Sequence, residues 1–330
     1  MKSIDVVAIG ELLVDFTENG TSRQGNPVFE ANPVGAPCNV LAMLAKLGHK
    51  TAFIGKVGND FFGDMLKETI EHAGIQSDYL YKDDTVHTTL AMVHTFPNGD
   101  RDFSFYRNPG ADMMLTEDEV PAELIRNARI FHFGTLSMTH EIVRKATKKA
   151  VGIAEESGAL ISFDPNLRPP LWESMDEAKE QMLYGLAHCH ILKISDNEIC
   201  WLTGKSDYTE CVEWISSRYH IPLILVSMGS QGSRAYYKGI MREEAPFLRD
   251  DTIETTGAGD TFLGCILHYL LEHGLENLSE QDLQEMLIFA NSAASLITTR
   301  KGALRVMPSG DEIEANIAAR RQCRDTRKSF

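Results

Sequence analysis

The sequence predicts an α/β protein with a central, mostly parallel β-sheet, helices on both faces of that sheet, and a second, smaller β-sheet. From residue 130 onward, short apolar runs alternate with longer amphipathic segments, which is typical of a parallel sheet covered by helices. Two earlier segments, about 12–34 and 86–112, are rich in turn residues and alternate apolar with polar positions, as antiparallel strands do. A chain of 330 residues can bury such a core in one large domain that carries these two segments as insertions.

The individual elements follow in the order that this fold class requires. An apolar strand over 4–9 leads to Asp15, and an amphipathic helix follows a Gly/Pro turn and ends near Gly48. Residues 88–96 and 101–106 have period two and flank a Pro-Asn-Gly-Asp turn, which predicts a hairpin. The remaining strands are expected over 51–55, 130–133, 160–163, 191–194 and 223–226. The remaining helices are expected from 60 to about 74 and over 140–157, 175–187 and 261–271.

Composition argues against several classes of function. The formal net charge of −15 disfavours nucleic acid as a partner, because phosphate backbones are bound by an excess of Lys and Arg. No apolar run reaches the roughly 18 residues that a membrane span needs, and Glu11 breaks the amino-terminal apolar run, unlike a signal peptide. The six cysteines show no C-x-x-C spacing and lie mostly in apolar stretches, so we expect buried thiols and a reducing, cytoplasmic location.

A glycine-rich turn at residues 255–259 leads directly into an apolar helix. Backbone N–H groups at a helix start lack intrahelical acceptors and lie at the positive end of the dipole, so a phosphoryl group can bind there. Gly257 and Gly259 allow close approach because they have no Cβ. Asp260 follows, and a carboxylate at a phosphate site needs a task of its own, such as accepting the proton of an attacking hydroxyl. The alternative is that Asp260 only caps a core helix.

This stretch does not fit the two commonest phosphate-binding loops. A P-loop requires G-x-x-x-x-G-K-[ST], and the nearest candidate, Gly204 with Lys205, has Ile199 in place of the first glycine. A dinucleotide fingerprint requires a glycine where Phe262 stands.

Residues 255–262 instead resemble the carboxy-terminal signature of the ribokinase/PfkB carbohydrate kinase family. The resemblance implies a ribokinase-like three-layer sandwich whose small sheet forms a lid, with ATP and a sugar as the small-molecule partners. It further implies that Asp260 is the catalytic base and that Gly257, Ala258 and Gly259 form the anion hole.

The opening part of the chain resembles the amino-terminal signature of the same family. Gly35 stands four residues before Asn39, and the helix that follows closes at Gly48. The resemblance implies that Asp15, Gly35 and Asn39 hold sugar hydroxyls, although Val34 stands where many members have a glycine. Without the resemblance, Asp15 is interpreted as a surface carboxylate and Asn39 as a helix N-cap.

Residues 106–112 and 164–172 resemble the fructokinase branch of the family in particular. The resemblance implies that Arg107 reaches substrate oxygens or phosphate and that Arg168 clamps the phosphates. Considered alone, Arg107 is a solvated surface cation. The small sheet is expected to cover the site and shield phosphoryl transfer from water, and two such lids are expected to pair in a homodimer.

Residues 193–198 correspond to the family's N-x-x-E magnesium motif, with Ser195 in place of the asparagine. Mg²⁺ keeps much of its hydration shell, so one carboxylate, water molecules and ATP phosphates can hold it. The resemblance implies that Glu198 binds Mg²⁺ and that Lys193 contacts the nucleotide. The alternative for Glu198 is a first-turn acid that stabilises the helix dipole.

The nucleotide side is expected near the end of the strand over 223–226 and beside a small-residue helix over 287–294. The candidate ATP contacts are Ser227, Gly229, Gly232 and Asn291, the last of which would read the adenine edge. The alternative for the first three residues is a tight hairpin turn, and the alternative for Asn291 is simple helix packing.

Two loops resemble the family's potassium site, in which hard oxygen ligands hold a weakly hydrated cation. Its candidate ligands are Glu254, Thr256, Ile297 and Gly302. Glu254 stands where the family usually has Asp, and Val306 stands where ribokinases offer a hydroxyl. Arg300 or Lys301 would replace the ion if its side chain folded into the same space.

The resemblance covers nearly the whole chain and implies transfer of the γ-phosphoryl group of Mg·ATP to the 6-hydroxyl of D-fructose. Other acceptors remain open, namely 2-keto-3-deoxygluconate, ribose or a nucleoside, because the same scaffold serves all of them. A sugar sensor that keeps the fold without turnover is the alternative of a different class.

Overall fold

The computed structural model describes residues 2–95 and 101–328, and the side chains within 2–93 and 104–322. Its strands are β1 (Ile4–Ile9), β2 (Leu13–Thr21), β3 (Pro27–Val34), β4 (Thr51–Gly58), β5 (Ile75–Asp83), β6 (Leu90–Thr95), β7 (Arg101–Tyr106), β8 (Ala128–Gly134), β9 (Leu160–Asp164), β10 (Ile191–Ser195), β11 (Leu223–Ser227), β12 (Ser233–Tyr237) and β13 (Ile240–Glu244). Its α-helices are α1 (Ala36–Lys46), α2 (Phe61–His72), α3 (Ala122–Arg126), α4 (Glu141–Glu156), α5 (Met175–His188), α6 (Asp196–Thr203), α7 (Tyr208–Ser216), α8 (Ala258–His273), α9 (Glu280–Ile297) and α10 (Gly310–Lys328).

The large sheet has the strand order β13-β12-β11-β10-β9-β8-β1-β4-β5. The pairs from β11 to β5 are parallel, and β12 and β13 extend one edge in the antiparallel sense. β1 is central because it pairs with both β4 and β8. This arrangement confirms the predicted fold class.

The hydrophobic core lies in two layers, one on each face of the large sheet. Val6 and Ala8 of β1 belong to the layer formed with α1, α8 and α9, whereas Val7 and Ile9 belong to the layer formed with α4 and α5. All four side chains are fully buried. An apolar residue at every position is what a strand needs when helices cover both faces, so the near-continuous apolar runs in the sequence have their explanation here.

The smaller sheet has the order β3-β2-β6-β7, with β2 parallel to β6 and the outer pairs antiparallel. Leu13, Val34 and Ala91 form its buried cluster, and Phe105 packs against them. The two inserted segments of the sequence therefore form one sheet, as predicted. The turn predicted at 97–100 lies outside the described residues. None of the helices described here combines the length and the apolar character needed to cross a membrane.

Candidate active site

The glycine-rich turn forms the start of α8, and this helix begins at Ala258 rather than at the predicted residue 261. The reason is the conformation of Gly257, whose φ of 75° and ψ of 0° place it in the left-handed region as the N-cap. A Cβ at Gly257 would also lie 2.5 Å from the Cβ of Ala303. Both conformation and space therefore require glycine here. As a result, residues 258–260 form the first helical turn, where N–H groups have no intrahelical acceptors.

Asn39 holds the carboxylate of Asp260. Its Nδ2 donates to Oδ2 of Asp260 at 2.8 Å, and its own Oδ1 is buried without a partner among the described residues. Asn39 is not the N-cap, which corrects the simpler interpretation of this residue. Gly35 is the cap, and the backbone N–H of Asn39 donates to the carbonyl of Gly35 at 2.8 Å. A Cβ at Gly35 would lie 2.4 Å from the carbonyl oxygen of Glu11, so this turn also needs glycine.

A buried cation lies beside the same helix turn. Lys193 is on β10, and its Nζ lies 2.8 Å from Oδ2 of Asp164 at the end of β9. A methyl group placed at Gly259 would lie 2.9 Å from that Nζ, so the ammonium group is directly against the first turn of α8. The sequence predicts Lys193 as a nucleotide contact and places Asp164 at the carboxyl end of an apolar strand, where ligand-binding residues are expected, but it assigns Asp164 no role.

The ionisable groups at this edge of the large sheet shift one another's pKa values. Burial raises the pKa of Asp260, while Lys193, the hydrogen bond from Asn39 and the charge of Arg168 act in the opposite direction. Burial also raises the pKa of Asp164 to about 6, with Lys193 opposing the shift. For Lys193, burial alone would lower the pKa, but Asp164, Glu198 and Asp260 together raise it. The site is thus a partly desolvated set of carboxylates around one ammonium group.

Glu198 ties together two loops at the same edge. Its Oε2 accepts hydrogen bonds from the backbone N–H and the hydroxyl of Ser195, at 2.8 and 2.7 Å, and its Oε1 accepts from the N–H of Leu167 at 2.6 Å. Ser195 is the N-cap of α6, which explains how a serine serves in the place of the motif's asparagine. Arg168, in the loop fixed by Leu167, is exposed.

The residues predicted on the nucleotide side form a turn between β11 and β12. Gly229 and Gly232 have φ of 53° and 99°, and the N–H of Met228 donates to the carbonyl of Gly232 at 2.9 Å. Asn291 is buried behind this turn, where its Nδ2 donates to the carbonyl of Glu244 at 3.1 Å. Its Oδ1 accepts a hydrogen bond from the hydroxyl of Ser233 at 2.9 Å. A tight turn and a structural asparagine are therefore present, and ATP contacts at Ser227, Gly229, Gly232 and Asn291 stay predictions.

Arg107 is buried rather than solvated. Its Nε donates to Asp112 at 2.8 Å, its Nη1 to the hydroxyl of Thr139 at 2.8 Å, and its Nη2 to the carbonyl of Leu136 at 3.0 Å. These contacts attach the end of β7 to the loop after β8. Asp15 is half-buried on β2, where it pairs in register with Asn32 and Ala91.

The two loops of the candidate potassium site lie against each other. The carboxylate of Glu254 accepts a hydrogen bond from the N–H of Gly302 at 2.6 Å, and the N–H of Ile253 donates to the carbonyl of Thr298 at 2.8 Å. The guanidinium of Arg300 instead contacts the carbonyl of Val306, at 2.8 Å, and Glu312.

One further buried carboxylate was missed from the sequence. Glu11 follows β1, and its Oε1 accepts a hydrogen bond from the N–H of Ala36 at the start of α1, at 2.9 Å. Burial raises its pKa to about 7. An acidic residue directly after a buried strand is the only signal that the sequence offers for this role.

Comparison with known proteins agrees with this geometry. Residues 3–309 match the pfkB family carbohydrate kinase profile. Probable fructokinase-4 from Arabidopsis thaliana is 39% identical over 315 residues, which is 94% of this chain and 95% of that protein. The fructokinase from Xylella fastidiosa with bound ATP superposes with a TM-score of 0.88 at 28% identity, over 96% of this chain and 98% of that one. The fructokinase from Vibrio cholerae O395, in its fructose, ADP and calcium ion bound form, gives a TM-score of 0.85 at 27% identity, over 95% and 99% of the two chains.

The match extends over nearly the full length of both the sequence relative and the structural neighbours, so it includes the central sheet, the small sheet and the start of α8. The predicted family and the predicted sugar phosphotransferase activity are confirmed. The chain belongs to the pfkB family of carbohydrate kinases.

Proposed function

We propose that this carbohydrate kinase is an ATP-dependent fructokinase that transfers the γ-phosphoryl group of Mg·ATP to the 6-hydroxyl of D-fructose. The observation that carries the proposal is the meeting of Asp260, Asn39 and Lys193 at the first turn of α8. A carboxylate beside an ammonium group and helix N–H groups supplies a base and stabilises negative charge, which phosphoryl transfer to a hydroxyl needs. Fructose as the acceptor is supported by the relatives, which are named fructokinases.

In the proposed reaction, Asp260 accepts the proton of the 6-hydroxyl while the hydroxyl oxygen attacks the γ-phosphorus and the bond to ADP breaks. Asn39 holds Oδ2 of Asp260, so we assign Oδ1 to the hydroxyl. The upward shift of the pKa of Asp260 makes it a stronger base than an exposed aspartate. The N–H groups of residues 257–260, Lys193 and Arg168 stabilise the charge that develops on the phosphoryl oxygens.

The sugar is proposed to bind between the small sheet and the start of α1, in contact with Asp15, Gly35, Asn39 and Arg107. The buried Oδ1 of Asn39, which has no partner among the described residues, supports this placement. Buried polar atoms are almost always hydrogen-bonded, and a sugar hydroxyl would satisfy this one.

The nucleotide is proposed to lie along the carboxyl edge of the sheet, next to Ser227, Gly229, Gly232 and Asn291. Glu198 would hold Mg²⁺ through water, because both of its oxygens already accept hydrogen bonds from the protein. The buried Oδ1 of Asp164 also lacks a partner among the described residues, which is consistent with a hydrated cation or phosphate nearby. When bound, Mg²⁺ would neutralise charge on the β- and γ-phosphates.

The proposal also includes a homodimer that forms through the lids, in a cytoplasmic protein. Phe61 beside the small sheet and Tyr106 at the end of β7 are 76% and 65% exposed, and they border a cavity of about 650 Å³. Large exposed aromatic side chains in one place are typical of interaction surfaces. Light scattering is expected to give twice the chain mass, and a fully active monomer at micromolar concentration would contradict the lid dimer.

The test of the function is ADP release measured with a panel of acceptors. We expect fructose to have a higher kcat/KM than ribose, 2-keto-3-deoxygluconate and adenosine. A different preferred acceptor would replace fructose while leaving the kinase assignment intact. ATP binding without turnover on every acceptor would instead favour the sensor.

A further inference from the structure

A group of metal-ligating side chains lies at the amino-terminal edge of the large sheet, away from the candidate active site. His49 precedes β4, and His268 and Glu272 are one turn apart on α8. One ligand atom from each of the three residues lies within 4.8 Å of the other two. Asp260 and His268 are on the same helix, separated by about 12 Å along its axis at 1.5 Å per residue. The kinase chemistry therefore does not use this group.

The two imidazole rings already face each other. Nε2 of His49 lies 2.7 Å from Nδ1 of His268, so the two nitrogens share one proton. In a tetrahedral site with Zn–N distances of about 2.0–2.1 Å, two ligand nitrogens lie about 3.3 Å apart. The distance between these two nitrogens would therefore have to increase by about 0.6 Å for zinc to replace the proton. The ring of Phe289 packs against His268, with centroids 5.7 Å apart, and helps to fix its orientation.

The surroundings of His49 match those of a metal-binding histidine. Oδ2 of Asp5 lies 3.8 Å from Nδ1 of His49, the nitrogen that does not face His268. Asp5 is itself held by the N–H of Lys50 at 2.9 Å and by Arg129 at 3.1 Å. Histidines that bind metals usually present their second nitrogen to a carboxylate, which fixes the tautomer. The positive charge of Arg129 would disfavour a nearby metal ion, but Arg129 is paired with Asp5, which offsets that charge.

The group is also accessible to an ion from solvent. Both histidines are half-buried and Glu272 is exposed, so an ion can enter from solvent past the glutamate.

We propose that His49, His268 and Glu272 bind one Zn²⁺ ion, with water as the fourth ligand and Asp5 as the carboxylate that faces the second nitrogen of His49. Two imidazoles, one carboxylate and one open position form a ligand set typical of zinc. The ion would join the loop after α1 to the carboxyl-terminal half of α8, the helix that carries Asp260 at its other end.

The test is zinc binding by the full chain after chelator treatment, with saturating Mg²⁺ present to occupy the active-site carboxylates. We expect one Zn²⁺ per chain, and visible absorption typical of tetrahedral Co²⁺ when Co²⁺ replaces it. Asp5→Asn is expected to weaken binding about 10–100-fold, and His49→Gln and His268→Gln by more. His273→Gln is the matched control, because His273 is exposed on the same helix and outside the group. Its zinc binding should be unchanged.

Thermal unfolding provides a second readout. Zinc is expected to raise the Tm of the unmodified protein and of His273→Gln, but not of His268→Gln, because only a folded-state ligand stabilises by mass action. If a histidine variant fails to fold, Glu272→Gln tests the site with an exposed side chain. Equal zinc affinity in the ligand variants and the unmodified protein, or no zinc binding at micromolar concentration, would overturn the proposal.

Discussion

The side-chain amide of Asn39 donates a 2.8 Å hydrogen bond to the carboxylate of Asp260, across 221 positions of sequence. Both residues are near the amino-terminal ends of their helices, α1 and α8, which pack against each other. Helix starts carry the positive ends of dipoles, so two of them face one carboxylate. This arrangement helps to keep Asp260 ionised at the place where phosphate is proposed to bind, and the first two predictions follow from it.

Replacing Asp260 with Asn is expected to lower kcat by about 10²–10⁴-fold, because the change removes the proposed base. ATP affinity should be nearly unchanged, since side-chain size and the helix N–H groups remain. ADP release gives kcat, and calorimetry gives ATP affinity. Asp176→Asn is the matched control, because Asp176 is also in the first turn of its helix but is exposed. An Asp260→Asn enzyme with nearly full turnover would show that another group is the base.

Replacing Asn39 with Ala is expected to lower kcat/KM for fructose about 5–150-fold, which corresponds to about 1–3 kcal/mol for a lost buried hydrogen bond. The hydrogen bond from Asn39 lowers the pKa of Asp260, so its removal should raise that pKa. The acidic limb of the kcat/KM profile should therefore move to higher pH. A uniform loss of activity without any movement of this limb would mean that Asn39 acts on the sugar alone.

Replacing Gly257 with Ala is expected to abolish most activity, because the new Cβ would meet Ala303 at 2.5 Å and would strain a residue with φ of 75°. Gly204→Ala is the matched control, since its φ of 71° and ψ of 17° place it in the same left-handed region and it has no atom within 4 Å of a Cβ. Left-handed strain costs on the order of 1–3 kcal/mol at either position, so both variants should melt earlier. Only Gly257→Ala should lose kcat, and equal loss in both would contradict a specific role for this turn.

The buried carboxyl of Glu11 predicts a pH dependence of stability. Its pKa in the folded protein is raised to about 7 from an ordinary value of 4.5, so the folded state holds its proton more tightly than the unfolded state does. The stabilisation is therefore present at low pH and is lost as pH rises from 4.5 to 7, with a total on the order of 3 kcal/mol. Glu11→Gln removes this dependence and keeps an acceptor for the N–H of Ala36.

The measurement is the free energy of unfolding by denaturant at several pH values for both proteins. Asp164 titrates in the same direction, so the difference between the unmodified protein and Glu11→Gln is the informative quantity. This difference should move in favour of the glutamine variant as pH rises through the window. Parallel curves would mean that the pKa of Glu11 is not raised in the folded state.

The sequence predicts the fold well because its signals are local. Continuous apolar runs such as 6–9 and period-two segments such as 90–93 report the environment of each strand directly. The glycine-rich turn before Asp260 is similarly readable, because its conformation restricts which residues can occupy it. The sequence places the start of α8 three residues late, because Gly257 and Gly259, which have low helix propensity, flank its first residue.

Pairings across the sequence could not be predicted from such signals. The sequence around Lys193 gives no sign of its contacts, because Asp164 and Gly259 lie beside it only in the folded structure. From the sequence alone Arg107 is interpreted as a surface cation, whereas its side chain is buried and donates hydrogen bonds to Asp112 and Thr139. Its contact with the substrate stays a prediction. The burial of Glu11 could not be predicted from the sequence, since acidic residues are rarely buried unless they have a partner.

Activation by K⁺ over Na⁺ is the remaining prediction, and it concerns the loops that support the start of α8. A 2.6 Å hydrogen bond from the N–H of Gly302 to the carboxylate of Glu254 already connects the two loops. Arg300 is directed toward Val306 and Glu312, so this cation does not replace the ion in the way that the sequence left open. A weakly hydrated cation held by oxygen ligands of these two loops would fix the turn at Gly257 and thereby the anion hole.

Rates should be compared in K⁺, Na⁺ and a bulky organic cation at matched ionic strength, with the sugar phosphate measured directly so that no coupling enzyme responds to the salt. Higher kcat in K⁺ is expected, and Glu254→Gln, which weakens the connection between the loops, should reduce the difference between cations. Equal rates in K⁺ and the organic cation would refute the site.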